Sequence, residues 1–91
     1  MSTLTFQIPP FSIEVDGVTC EIMEVLENKL VDGSTLYYVA VRIHYKGIIS
    51  HIFNLICKNT KEMVNQLKAE ITKVKLMDYT YGIEYVKKVI T

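Results

Sequence analysis

The chain has 91 residues, 49% hydrophobic and 22% charged, and its 10 basic and 10 acidic side chains cancel. That length lies near the lower end for independent domains, so it supports one core and excludes a second domain. The balance excludes the polar, highly charged signature of disorder and the strongly basic field of a default nucleic-acid or anionic-membrane binder.

In chain order, the opening residues Met1–Phe6 lack the basic and apolar regions of a secretory leader, and no later apolar run approaches the ~18 residues of a membrane span. A soluble, cytoplasmic protein without membrane contact is expected. Abundant Ile, and Lys almost to the exclusion of Arg, suggest a low-GC coding sequence of the kind met in some archaea and their viruses. Thr3–Ile8 reads as a short N-terminal strand or arm, which with the prolines takes up residues 1–10. Pro9-Pro10 separates it from the first long strand, because proline donates no ladder hydrogen bond and stays out of central strands.

Asp16-Gly17, Asp32-Gly33 and Lys46-Gly47 each stand between runs rich in β-branched and aromatic residues. Such pairs suit two-residue type I′ turns, which need positive φ at both central positions. Strands are therefore expected at Phe11–Val15, Val18–Val31, Ser34–Tyr45 and Ile48–Cys57, a four-stranded antiparallel meander. If every turn has two residues the register follows. One face then collects Phe11, Ile13, Val15, Val18, Cys20, Ile22, Leu26, Val39, Val41, Ile43, Tyr45, Ile48, Ile52 and Ile56, and is the core face. Glu24 breaks the pattern and points to a bulge or to a sheet end open to water.

Asn59-Thr60-Lys61-Glu62 has the form of a capping box. It opens an amphipathic helix over about 60–76, with Met63, Val64, Leu67, Ile71 and Val74 on one side to lie across the core face. Beyond it, Tyr79, Tyr81, Ile83 and Tyr85 alternate with Thr80, Gly82, Glu84 and Val86. Period two predicts a final β-strand over about 78–89. The expected class is α+β, in a single domain over 1–91.

The same register gathers Met23, Val25, Leu36, Tyr38, Ala40, Phe53, Leu55 and Cys57 into an apolar patch on the second face. One helix cannot cover both faces, and monomers rarely leave such a patch bare. A small non-enzymatic protein-interaction or assembly module is the predicted function, a homodimer ahead of a complex with another protein. Its contact residues are Tyr38, Phe53, Leu55, Tyr79, Tyr81 and Tyr85. Cover from within the chain is the competing explanation of the patch.

At the polar end of that face Glu21 is expected opposite His44, and Arg42 opposite His51, with the two imidazoles diagonal neighbours. A Glu–His contact orients a general base, and two His with one carboxylate can hold a metal. A small nuclease or hydrolase using His44, His51 and Glu21 is therefore the third reading, behind nucleic-acid binding. It lacks a nucleophile with its own base, a recognisable ligand spacing, a glycine-rich phosphate loop and a paired Cys motif, so no metal and no cofactor are expected. Nucleic-acid binding would use Arg42, His44, Lys46 and the strand Tyr79–Lys88. Val41–Gly47 is similar to the strand-and-turn of small archaeal chromatin proteins that bind DNA with a β-ribbon, but only over these residues and without their basic charge. Cys20 and Cys57, expected on opposite faces and two strands apart, should not pair.

Overall fold

Two of the turns form as the residue pairs require. Asp16 and Gly17 have φ of 50 and 80°, and Lys46 and Gly47 of 48 and 83°, the double positive φ of type I′. In the computed structural model, which describes residues 8–91, they separate β1 (Phe11–Val15) from β2 (Val18–Lys29) and β3 (Thr35–Tyr45) from β4 (Ile48–Ile49). Most of the expected N-terminal arm, Thr3–Gln7, lies outside the described residues. The chain continues through β5 (Phe53–Cys57), α1 (Thr60–Tyr81) and α2 (Ile83–Ile90). All strand pairings are antiparallel in the order β1-β2-β3, with β4 and β5 both on the far side of β3 as two pieces of one interrupted strand. The expected α+β class and meander are present.

The turn between β2 and β3 differs. Only Gly33, at φ 91°, is left-handed there. Its N–H donates to Leu30 O at 3.0 Å while the Leu30 N–H donates to Ser34 O at 2.8 Å. This is a three-residue loop, Val31-Asp32-Gly33, in which a type I turn is closed by a left-handed glycine. Asp32 Oδ1 supports it by accepting from the Ser34 N–H at 2.9 Å and the Ser34 hydroxyl at 2.6 Å. The extra loop residue slips the register by one, so Val25, opposite Val39, faces the core and Leu26 turns outward. A bulge between Ile22 and Glu24 then adds a second slip and restores the expected parity, with Ile22 opposite Val41 and Cys20 opposite Ile43. The bulge is where Glu24 pointed.

A further irregularity separates β4 from β5. Tyr45 pairs with Ile48, but Val41 pairs with Phe53, one residue out of step. Ser50, buried at 6% exposure, mends the gap. Its N–H donates to Ile43 O at 2.9 Å, its hydroxyl accepts the Ile43 N–H at 2.9 Å and donates to His51 O at 2.8 Å. These bonds satisfy groups that an interrupted ladder would leave orphaned. The slip reverses the faces of β5. Leu55 and Cys57 are buried and Phe53 packs against the core, while Ile56 turns outward. The expected outer patch built on Val25, Phe53, Leu55 and Cys57 is corrected accordingly, since these side chains lie on the core face.

The α1 helix starts where the capping box predicts. Asn59 Oδ1 accepts the Glu62 N–H at 2.8 Å, and Glu62 Oε1 reaches back to the Lys58 N–H at 3.0 Å. Met63, Leu67, Ile71 and Val74 are buried against the sheet. The expected final strand over 78–89 is overturned. Helix α1 runs on to Tyr81, and Gly82, at φ 91° and ψ 169°, ends it with its N–H on Asp78 O at 2.8 Å, in an extended positive-φ conformation open essentially to glycine alone. Helix α2 follows and buries Val86 and Ile90, four apart, with Ile83 packed beside them. Helical spacing was present under the alternation, and burial of that stripe selects it.

Candidate functional site

The register slips rebuild the outer face of the sheet. Leu26, Tyr38 and Ile56 now lie opposite one another across β2, β3 and β5, with Glu24, Ala40 and Asn54 as the next row. Leu26 and Ile56 are each 53% exposed, and Ile52, also expected on the core face, is 52% exposed. Tyr38 is half-buried, its hydroxyl accepting from Asn28 Nδ2 at 3.4 Å. Among the described residues the helices pack on the opposite face, and the buried hydrophobic side chains form one cluster with them. Of the predicted contact residues, Tyr38 alone belongs to this face. Leu55 is buried, and Phe53 and Leu55 instead line a cleft of ≈ 270 Å³ at the break between β4 and β5, with Val74, Glu70 and Ile90 from the helices.

The polar group forms in part. Glu21 pairs with Arg42 and lies diagonal to His44, which pairs with Thr19. Glu21 Oε1 accepts from Arg42 Nε at 2.7 Å and lies 3.1 Å from His44 Nε2. Arg42 first, and His44 second, hold the Glu21 carboxyl below the usual carboxylate range. A carboxylate neutralised by a guanidinium is a weaker base and a weaker orienting group, so this arrangement is poor machinery for proton transfer. The expected pairing of Arg42 with His51 is not formed. The interruption of the strand at Ser50 carries His51 to the C-terminal helix, where its N–H donates to Ile90 O at 2.8 Å and its Nδ1 lies 2.7 Å from the same oxygen. Since a carbonyl only accepts, Nδ1 carries the proton, and His51 ties the end of α2 to the sheet. Among the described residues no group of three His, Cys, Asp or Glu side chains gathers closely enough to hold a metal ion.

The tyrosines are brought to the helices instead of a strand. Tyr79 is 91% exposed, and the rings of Tyr81 and Tyr85 meet at a tilt of 40° with centroids 4.6 Å apart. Lys46, named with Arg42 and His44 for the nucleic-acid reading, donates to Asp78 Oδ2 at 2.7 Å, and the Tyr45 hydroxyl donates to the same oxygen at 2.7 Å. This lock between the β3–β4 turn and the last turns of α1 was not foreseen, because reading Asp78 as the start of a strand hid its partners. Both thiols are buried on the core face, correcting the expectation of opposite faces. Cys20 lies beside Ile43 and Cys57 beside Tyr37 on β3, and those registers are roughly 20 Å apart along the strand, beyond disulfide reach. Burial pushes the Cys20 thiol up to about 11 and raises that of Cys57, so neither is primed as a nucleophile.

Comparisons with protein-family models, with curated proteins and with solved structures return no match.

Proposed function

We propose that this protein is a small non-enzymatic assembly module that forms a homodimer through the outer face of its sheet. The observation that carries the reading is the row Leu26–Tyr38–Ile56, which crosses three strands and leaves both aliphatic ends 53% exposed. A flat apolar row of this kind is matched best by a copy of itself across a twofold axis, the commonest symmetry of soluble oligomers, and a domain with so small a core gains much from the added burial. Three of the cations of the alternative, nucleic-acid binding, already meet a carboxylate: Arg42 and His44 face Glu21, and Lys46 faces Asp78, which leaves Lys87 and Lys88 to carry it. Free, buried cysteines suit a reducing compartment and a cytoplasmic setting.

Light scattering tests the reading. The wild-type chain should have the mass of a dimer, and Leu26→Lys and Ile56→Lys should each give a folded monomer, since both sites tolerate charge in the isolated chain but not inside an interface. A wild-type chain that stays monomeric at millimolar concentration would overturn it. Tight oligonucleotide binding that falls steeply with salt would support the alternative.

A further inference from the structure

The open edge of β5 lies directly over the cleft. In β3 the Ile43 backbone bonds toward β4, since Ile43 O accepts the Ser50 N–H. Every second residue of a strand turns the same way, so Val41 and Val39 bond to their partners Phe53 and Leu55. Asn54 and Ile56 therefore turn their backbone groups away from the sheet. Gln66 Nε2 occupies Ile56 O at 2.8 Å. Among the described residues the Asn54 N–H and C=O and the Ile56 N–H meet no partner, an open edge that a sheet leaves uncovered only at the risk of pairing with another chain. On the core side of that edge Phe53, Leu55, Val74 and Ile90 form the apolar part of the open ≈ 270 Å³ cleft, and Ser50, His51, Asn54 and Glu70 form its polar part.

Backbone groups in a row beside a pocket for one side chain are the two halves of a strand-addition site. We propose that β5 receives the segment Leu4-Thr5-Phe6-Gln7-Ile8 of a second copy of this chain, with Phe6 seated in the cleft, in a reciprocal exchange of arms. The proposal rests on the homodimer reading above and names how the two chains are joined. The segment alternates apolar Leu4, Phe6 and Ile8 with polar Thr5 and Gln7, which suits a strand with one face on a core and one in water. Its attachment point excludes the same chain as donor. Phe11 lies in the row Phe11–Ile22–Val41–Phe53, on the edge of the sheet opposite β5. Crossing that row covers roughly 14 Å, and Leu4 to Pro10 spans at most about 20 Å. With the helices on the core face, an arm folded back on its own chain would cross the outer face and arrive athwart β5, with too little length left to run along it. An arm from a partner has no such limit, and reciprocal exchange closes the dimer at low cost.

The test compares the wild type with Phe6→Asp, which changes a residue outside the described fold, and Asn54→Pro, which removes an edge N–H that the fold does not use. Both variants should keep the circular dichroism of the wild type and raise the dimer dissociation constant about tenfold or more, as expected for loss of a buried aromatic anchor or of its backbone register. Amide exchange at Ile56 should be slow in the wild-type dimer and fast in Phe6→Asp. Dimerisation unchanged in both variants overturns arm exchange, and if Leu26→Lys still dissociates the dimer the outer-face reading stands without it. A wild-type monomer overturns both proposals.

Discussion

Leu55 and Ile56 are neighbours in sequence, and the slip at Ser50 decides which of them carries the stability of β5. The uninterrupted register predicts a buried Ile56 and an outward Leu55. The structure has Leu55 at 7% exposure and Ile56 at 53%. Truncating a buried Leu to Ala costs about 2–5 kcal/mol, depending on how far the site collapses. Leu55 borders the cleft and so has fewer atoms packed on that side, which places Leu55→Ala at roughly 2–3 kcal/mol, in the lower half of that range. Ile56→Ala removes a half-exposed side chain and should stay within about 0.5 kcal/mol. With a urea slope of about 1–1.5 kcal/mol/M, the first variant should lower the unfolding midpoint by roughly 2 M and the second by less than about 0.5 M. The measurement is urea unfolding followed by circular dichroism at sub-micromolar protein, so that dimerisation does not add to the stability. Equal shifts, or the larger one at Ile56, would show that β5 continues the register of β4 and that the cleft walls are misassigned.

On helix α1, Leu67→Ala should cost about 2–5 kcal/mol, because Leu67 is fully buried. Gln66→Ala should cost about 1 kcal/mol, the net worth of its bond to Ile56 O, and equal costs for the two variants would mean that the helix presents another side to the sheet. Hydrogen bonds from Lys46 and Tyr45 hold the Asp78 carboxyl below its ordinary 3.8. Its contribution is therefore complete above the unfolded-state value and is lost as pH falls through the lower folded-state value. Asp78→Asn should flatten the acid limb of a stability-versus-pH curve below about pH 4, and an unchanged limb would show that the lock contributes nothing.

What the residues alone determined is local. Asp16-Gly17 and Lys46-Gly47 close two-residue turns because each glycine accepts positive φ without penalty and the preceding residue tolerates it. Asn59 and Glu62 start a helix because their side chains satisfy donors within one turn of chain. The contact of Glu21 with His44 was also legible, since a shift of two residues leaves side chains on the same face. Tertiary structure decided the cases in which one stretch suits two geometries. Asp32-Gly33 serves a two-residue or a three-residue loop, and the difference lies in the φ of Asp32, which strand pairing sets. Residues 79–90 carry both a period of two and the spacing of Ile83, Val86 and Ile90. The core needed a helix stripe beside α1, and Gly82 supplied the break between the two helices. Ser50 reads as an ordinary polar position until its hydroxyl replaces a ladder bond to Ile43. Because side chains alternate from residue to residue along a strand, that one-residue slip moved Phe53 and Leu55 to the core face and Ile56 to the outside.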